Sequence, residues 1–366
     1  MKIGIIDADL ISRKKHRFPN LACMKISAYH KAQGHDVSLL LSYDEIENYD
    51  KVFLSKVFTD TPVPAGITEL SWVEYGGTGF FFDKAPDLPE EIEHHFPDYH
   101  LYDEFVNSKL AEGAKRVEFK EFLDYSIGFV TRGCFRKCGF CVNRKYNRVL
   151  PHSPLSEFYD PSRPKICLLD DNFFGCPQWR EILQELQATG KPFKFKQGLD
   201  ERLLTDEKCE LLCQSKYDGS ITFAFDNLSD YRLIEKKLKL IREHTDQQFT
   251  FYVLCGFESQ DENDIEGVFV RIKLLMRYGC IPYIMRFEDY KNSPYGGMYI
   301  TLARWCNQPS FIKKKSFREY CFDTVGQNNA APKYAEQFER QHPEIAAKYF
   351  DMKWSDFNGE GNNPTK

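Results

Sequence analysis

The chain has 366 residues and a formal net charge of −5, from 49 Lys and Arg against 54 Asp and Glu. Apolar residues make up 42% of it, which supplies a large hydrophobic core and excludes global disorder. At about 150 residues per domain, this length predicts two or three domains. The acidic balance excludes an overall positive field that would gather nucleic acid, and leaves local basic patches open.

The cysteine count is the first clue to function. Twelve cysteines are too few for a small disulfide-built protein. The opening residues, MKIGIIDAD, turn acidic too early for a secretory signal, and no apolar run reaches the roughly 18 residues that span a bilayer. We therefore expect a cytoplasmic chain without a membrane partner, whose thiols stay reduced. Each cysteine is then a core residue, a nucleophile or a metal ligand.

The first part of the chain alternates between strand and helix signals. Residues 2–8, 36–41 and 51–58 are apolar runs that predict strands. An apolar stripe that begins at Leu21 predicts a helix. Residues 75–79 (YGGTG) predict a turn or a loop that closely approaches another part of the chain. Alternation of this kind favours a parallel sheet with crossover helices.

A second rhythm of strand-like runs follows. These runs begin near residues 125, 166, 193, 220, 249 and 281. A complete eight-unit β/α barrel takes about 250 residues, or roughly 31 per unit. Six units at that period fill residues 120–300, so the sequence predicts a partial (β/α)6 barrel of the TIM type.

Two intervening segments predict helices with recognisable ends. Residues 229–241 begin at Ser229, a suitable N-cap, and place apolar residues on one face. Residues 261–278 open with acidic residues and end at Gly279, which suits a helix C-terminus.

The most specific motif is a C-x3-C-x2-C cluster formed by Cys134, Cys138 and Cys141. It directly follows the first predicted barrel strand, on the face where β/α barrels build their active sites. Three thiolates leave one coordination position open, whereas zinc usually recruits a fourth ligand nearby; the next candidates are the distant His152 and Cys167. A 4Fe–4S cluster with one unligated iron fits better. The alternative is three surface thiols that share no ligand.

With Phe140 just before the last cysteine, this loop resembles the signature of radical S-adenosylmethionine (SAM) enzymes. The resemblance covers about residues 121–290. It implies that SAM binds the open iron, that an electron from the cluster splits the sulfonium, and that a 5′-deoxyadenosyl radical abstracts a substrate hydrogen. It also implies a reductant partner of the flavodoxin or ferredoxin type.

Polar groups end the second predicted barrel strand, as this resemblance requires. Asp170, Asp171 and Asn172 stand where the family usually has Gly-Gly-Glu, the segment that accepts hydrogen bonds from the SAM ammonium. Carboxylate and amide oxygens suit a cationic amine. The alternative is that Asp171 or Asn172 caps the following helix.

Further cofactor-binding candidates end the fourth and fifth strands. The pair Asp226-Asn227 could hold the ribose hydroxyls of SAM or cap the next helix. Gly256 resembles the glycine-containing strand end that packs on adenine in the family, and Glu258 is either part of that site or a solvated loop charge.

The N-terminal part also resembles a known domain. Residues 18–37 and the pair Gly76-Gly77 are similar to the cobalamin-binding, Rossmann-like domain that precedes the barrel in one large radical SAM subgroup. The Asp-x-His-x-x-Gly motif, whose His ligates cobalt in that domain, is absent. Cobalamin binding therefore stays open, beside the alternative that the domain only covers the active site.

Nine cysteines remain, and we expect them to be packing residues. Cys209 and Cys213, four residues apart on a predicted helix, could instead join an auxiliary cluster. Basic residues cluster around the metal loop and again at 313–318. They could receive a phosphate-bearing or RNA substrate, receive an acidic electron donor, or form an ordinary solvated surface.

Together these observations predict an α/β chain with three parts. A Rossmann-like domain over 1–115 precedes a radical SAM partial barrel over 120–300, and a C-terminal extension over 301–366 ends in a disordered tail from residue 358. The expected function is that of a radical SAM oxidoreductase or transferase of unknown substrate. The alternatives are a cobalamin-dependent radical SAM methyltransferase and a non-catalytic metal-binding protein on the same scaffold.

Overall fold

A computed structural model describes residues 1–323 and 330–358. The end of the predicted tail, residues 359–366, lies outside the described residues. The chain divides into two compact units, residues 1–196 and 197–366. The three-part division predicted from the sequence stays a prediction.

The first unit opens with a four-stranded parallel sheet in the order β2-β1-β3-β4. Its strands are β1 (Lys2–Asp7), β2 (Asp36–Leu40), β3 (Lys51–Ser55) and β4 (Val73–Gly76). The three strands predicted from apolar runs are confirmed, and the helix Leu21–Ala32 connects β1 to β2. Successive residues of β1 face opposite sides of the sheet. Ile5 and Ile6 therefore belong to two separate apolar clusters, one on each face.

The strand β4 corrects the turn predicted at residues 75–79. Tyr75 and Gly76 are the last residues of the strand, and after Gly77 the helix Thr78–Phe81 begins at once. Since β4 is four residues long and buries only Val73, it lacks the apolar run by which strands are recognised.

A second parallel sheet of the first unit has the order β5-β8-β9. Its strands are β5 (Tyr125–Gly128), β8 (Lys165–Leu168) and β9 (Phe193–Phe195). Between β5 and β8 the chain forms a short antiparallel pair of β6 (Thr131–Arg132) and β7 (Leu150–Pro151). The α-helices of this unit are Ala8–Ser12, Leu21–Ala32, Thr78–Phe81, Glu90–Glu93, Asp103–Ala111, Lys120–Leu123 and Trp179–Ala188.

The second unit contains three parallel strands in chain order, β10 (Thr222–Ala224), β11 (Thr250–Cys255) and β12 (Ile281–Arg286). Among its described residues, the α-helices are Asp206–Gln214, Tyr231–His244, Glu262–Arg277, Gly296–Cys306, Pro309–Ile312, Phe317–Phe322, Ala331–Gln341, Pro343–Tyr349 and Ser355–Asn358. All six strands predicted between residues 120 and 300 are thus present, as two parallel sheets of three. Their closure into one partial barrel stays a prediction.

The helix ends agree only in part with the sequence. Asp261 caps the helix Glu262–Arg277, and Gly279 adopts the left-handed conformation after it, as predicted. Ser229 is not the N-cap expected of it, because Asn227 accepts a hydrogen bond from the Ser229 amide, 2.9 Å away, and caps a short 3-10 turn first. Across the described part of the chain, no helix is both long and apolar enough to cross a lipid bilayer.

Candidate metal centre

The three clustered cysteines lie on a loop, residues 133–149, that joins β6 to β7; we call it the cysteine loop. Cys134 is buried, and Cys138 and Cys141 are half-buried. Gly133 leads into the cysteines with φ 97°, and a Cβ there would lie 2.3 Å from the carbonyl oxygen of Arg148. Only glycine fits at this position, because it alone tolerates both that backbone conformation and that close approach.

The sulfurs of Cys134 and Cys141 accept hydrogen bonds from neighbouring N–H groups. The backbone amide of Arg136 and the side-chain amide of Asn172 donate to the Cys134 sulfur over 3.3 Å and 3.4 Å. The backbone amide of Asn143 donates to the Cys141 sulfur over 3.4 Å. N–H donors of this kind stabilise thiolates and tune the potential of an iron–sulfur cluster.

Asp170 fixes the chain that enters the cysteine loop. Its fully buried carboxyl group accepts hydrogen bonds from the amides of Val130 (3.3 Å) and Thr131 (2.7 Å) and from the Thr131 hydroxyl (2.6 Å). Burial raises its pKa to about 7, against the opposing effect of these bonds. The Asp170 carboxyl group thus binds the chain where β6 begins.

Asp171 joins both ends of the cysteine-bearing segment. Its Oδ2 accepts the amide of Gly133 (2.8 Å), just before the first cysteine. Its Oδ1 accepts the side-chain amide of Asn143 (2.7 Å), two residues after Cys141. The structure therefore makes Asp171 a positioning residue of the loop.

The structure shows what the three residues predicted to bind the SAM ammonium contact. The structure brings Asp170, Asp171 and Asn172 to the cysteine loop, as their place at the end of β8 implied. Contact with a SAM ammonium stays a prediction, while the contacts made in this structure are with the loop. The capping alternative does not hold for Asn172, whose side chain makes no capping hydrogen bond to the 3-10 turn that follows.

The three thiols of the cysteine loop are the candidate donors of a metal centre. Burial raises the pKa of Cys141, and the neighbouring Cys138 and Cys134 thiols raise it further, while the hydrogen bond from the Asn143 amide opposes this change. In the described ranges, no three His, Cys, Asp or Glu side chains converge closely enough for a single metal ion. One zinc ion binds each thiolate sulfur at about 2.3 Å, whereas the cysteines of a 4Fe–4S cluster bond different irons and need not meet at one point.

The basic residues around the cysteine loop largely anchor it. Arg144 pairs with Asp83 (2.8 Å), and Lys145 pairs with Asp87 (2.6 Å). Lys137 donates to the carbonyl oxygen of Arg144 over 2.7 Å. These charges are therefore partly engaged within the first unit, and a substrate phosphate or RNA stays a prediction.

The second basic group is engaged in the same way. Arg318 forms a two-pronged ion pair with Glu339, with both distances 2.8 Å, and a further pair with Asp351. Lys313 donates to the side chain of Gln248 over 2.9 Å. These charges are therefore partly engaged within the second unit, and a substrate or an acidic electron donor at this group stays a prediction.

The remaining predicted site residues end adjacent strands of the second unit. The Asp226 carboxylate accepts the amide of Leu254 over 3.2 Å, and burial raises its pKa to about 6. The amide of Gly256, whose φ is 72°, donates to Asp264 over 2.7 Å. The exposed Glu258 accepts the side-chain amide of Asn227 over 3.3 Å. The residue that caps the 3-10 turn after β10 is thus Asn227. Contact of Asp226, Gly256 or Glu258 with SAM stays a prediction.

One buried carboxyl group near these residues was not predicted. Glu201 is 1% exposed, and burial raises its pKa to about 8. Its Oε2 accepts the amide of Ala224, at the end of β10, while its Oε1 is buried without a hydrogen-bond partner among the described residues. In the sequence Glu201 looks like an ordinary loop charge, since its burial depends on the tertiary fold. A carboxyl group perturbed in this way is typical of functional sites.

The place where the N-terminal sheet would bind a ligand is filled by its own side chains. In the order β2-β1-β3-β4, the strand order reverses between β1 and β3, and ligands of such sheets bind at that point. There the Tyr102 hydroxyl donates to Asp7 (3.0 Å), and the Asn20 side chain donates to Ser55 (2.9 Å). Tyr102 also accepts the backbone amide of Asn20 over 3.0 Å and is 2% exposed. A ligand here would have to displace both side chains, so the residues present do not fit cobalamin at this point.

Comparison with known proteins gives little further guidance. No family model matches the chain, and no curated protein sequence matches it. A solved structure of the cobalamin-dependent S-adenosylmethionine radical enzyme OxsB, with aqua-cobalamin and S-adenosylmethionine bound, aligns with 97% of this chain at 14% identity and a TM-score of 0.37. The chain spans 57% of the length of that protein. A likeness at this identity and score establishes neither the family nor the reaction of this chain.

Proposed function

We propose that this chain is a radical SAM enzyme that holds a 4Fe–4S cluster on Cys134, Cys138 and Cys141. The observation that carries the proposal is the construction of the cysteine loop. Three thiols follow the carboxyl end of the parallel strand β5. Asp171, just after the neighbouring strand β8, joins both ends of the cysteine-bearing segment. Active sites of parallel α/β proteins lie at this end of the strands.

When bound, the cluster and SAM would supply a 5′-deoxyadenosyl radical that abstracts a substrate hydrogen. The chain's own residues would orient and protect that chemistry. Asn172 and the backbone amides of Arg136 and Asn143 donate hydrogen bonds to the sulfurs of Cys134 and Cys141, as N–H donors around an iron–sulfur cluster do. Asp170 and Asp171 hold the loop backbone in the geometry that presents the sulfurs.

The proposal includes the partial barrel and the position of SAM. Six strands in two parallel sheets supply the predicted number of units. Asp226, Gly256 and Glu258, at the ends of β10 and β11, are proposed to contact the ribose and adenine of SAM. A flavodoxin- or ferredoxin-type reductant is proposed as partner, and cobalamin plays no part in the proposal.

The experiment is anaerobic reconstitution with iron and sulfide, followed by SAM and dithionite. We expect a brown protein that forms 5′-deoxyadenosine, and each of C134A, C138A and C141A should lose both properties. C213S, which changes a half-buried cysteine of the other unit, is the matched control and should keep both.

The same experiment separates the alternatives. A zinc-containing chain, or a loaded cluster that never cleaves SAM, would support the non-catalytic metal-binding protein and contradict the proposal. Chromophore and 5′-deoxyadenosine that persist in the cysteine variants would contradict the ligand assignment.

A further inference from the structure

Two charged side chains of the helix Glu262–Arg277 reach the carboxyl ends of β10 and β11. Asp264 and Arg271 are seven residues apart, or about two helical turns, so they lie on the same face of the helix. Val268 and Leu275, on the same stripe, are fully buried. Arg271 is itself only 3% exposed. An arginine is almost never buried to this extent unless its donors are paired, so its contacts are informative.

Arg271 joins the ends of the two strands. Its Nη1 donates hydrogen bonds to the carbonyl oxygens of Phe225 (3.0 Å), Asp226 (2.9 Å) and Leu254 (2.8 Å). Its Nε donates to the carbonyl oxygen of Gly267 on its own helix over 3.1 Å, which fixes the direction of the guanidinium group. The Asp226 carboxylate in turn accepts the amide of Leu254 over 3.2 Å. The backbone at Asp226 is therefore held both by the neighbouring strand and by the helix.

Asp264 holds the backbone just after β11. Its Oδ2 accepts the amide of Gly256 (2.7 Å) and the hydroxyl of Tyr299 (2.7 Å). Because Tyr299 is fully buried, its hydroxyl fixes the direction of the carboxylate. Gly256 has a φ of 72°, a conformation that favours glycine, and a charge-assisted hydrogen bond of this length is a strong one. The conformation of this strand end thus depends on Asp264.

We propose that Asp264 and Arg271 are positioning residues that set the affinity of the chain for the nucleoside part of SAM. This inference rests on the proposed function, in which Asp226, Gly256 and Glu258 contact the ribose and adenine. Arg271 holds the backbone of Asp226, and Asp264 holds that of Gly256. Both residues act through these contacts and do not themselves touch SAM.

The expected effect is on binding and not on the chemical step. The ribose hydroxyls and the adenine do not change when the sulfonium is cleaved, and contacts made equally before and during the reaction alter KM while kcat is unchanged. If a strand end loses its position, only the molecules that recover it bind, and the apparent Kd rises accordingly. The loss of one hydrogen bond to a charged group, that between Asp264 and Gly256, corresponds to about a tenfold rise.

The test measures the dissociation constants of SAM and of 5′-deoxyadenosine for the cluster-loaded, full-length chain by anaerobic equilibrium dialysis. 5′-Deoxyadenosine has the ribose and adenine but no amino or carboxylate group, so it reports on the nucleoside contacts alone. In D264A both constants should rise about tenfold, while saturating SAM should restore the wild-type rate of 5′-deoxyadenosine formation. D264N keeps an oxygen that can accept both hydrogen bonds, so it should stay within a few-fold of wild type. R271K replaces the guanidinium fork with one ammonium group and should raise both constants by a factor similar to that of D264A.

Two further variants complete the test. R277A is the matched control, since Arg277 ends the same helix, is 52% exposed on its side chain and pairs with Glu235 over 3.5 Å; both constants should equal those of wild type. Y299F removes only the hydroxyl that Asp264 accepts, so it should raise both constants several-fold even if R271K fails to fold. A purely structural role would lower the folded fraction, seen by circular dichroism, and leave the constants of the folded chain unchanged.

The outcomes separate this inference from the proposed function. Folded D264A and Y299F chains that bind both compounds as wild type does would overturn the inference alone. The same holds if they lose affinity for SAM but not for 5′-deoxyadenosine. A wild-type chain that binds neither compound would contradict the proposed function and this inference together.

Discussion

Replacing Asp171 with Ala tests whether this carboxylate holds the cysteine loop. The change removes two hydrogen bonds to a carboxylate, from the Gly133 amide (2.8 Å) and the Asn143 side chain (2.7 Å). Hydrogen bonds to a charged group contribute about 1.5–3 kcal/mol each. Because Asp171 is only half-buried, we take the lower figure, about 3 kcal/mol for both bonds together. At about 1.4 kcal/mol per factor of ten, the open form of the loop should become roughly 100-fold more populated.

The first assay measures the hydrogen-exchange rate of the Gly133 amide in the iron-free chain. The second measures how much iron the chain binds when iron is supplied in limiting amounts. D171A should increase exchange by about two orders of magnitude and weaken cluster loading by a similar factor. D87N is the matched control, since Asp87 is an exposed carboxylate that also anchors this loop, through Lys145. An exposed ion pair contributes at most about 1 kcal/mol, so D87N should have only a several-fold effect. Equal effects of D171A and D87N would refute the positioning role of Asp171.

Three further predictions concern the first unit. G133A should prevent cluster loading, because a Cβ would lie 2.3 Å from the Arg148 carbonyl oxygen. Circular dichroism should show that the fold survives. A variant that loads a full cluster would contradict the predicted clash. The native pKa of Asp7 is raised to about 7, above its unfolded value near 4. The folded chain therefore binds more protons in that window, and the free energy of unfolding falls by about 1.4 kcal/mol per pH unit as pH rises from about 4 to 7. In urea unfolding, the free energy of unfolding of D7N should rise relative to that of wild type as the pH increases from about 4 to 7. A difference between the two proteins that does not change with pH would contradict the burial of Asp7. The wild-type chain should not retain hydroxocobalamin on gel filtration, because Tyr102 and Asn20 fill the point between β1 and β3 where the strand order reverses. Retention with the visible spectrum of a bound corrinoid would contradict this prediction.

The strands were predictable where burial is continuous along the chain. β1 buries five of its six residues, so its apolar run is visible in the sequence. The position of Cys134, Cys138 and Cys141 directly after a predicted strand was also sufficient to predict a cysteine-bearing loop that follows β5. The short strand β4 escaped because it buries one residue and has no apolar run.

The roles of individual polar residues were less predictable, because their partners lie far away in sequence. Asp171 reaches Gly133 across 38 residues, and Tyr102 reaches Asp7 across 95. Local patterns carry no record of such pairings. For the same reason Glu201 went unnoticed, since only the folded chain shows that its carboxyl group is buried.

The central claim is that Cys134, Cys138 and Cys141 hold a cluster with an open iron to which SAM binds. The most direct measurement is the electron paramagnetic resonance spectrum of the reconstituted, dithionite-reduced chain before and after SAM is added. We expect a reduced-cluster signal that SAM shifts, and no such signal in the C134A/C138A/C141A triple variant. A cluster signal that SAM leaves unchanged, or one that survives in the triple variant, would contradict it.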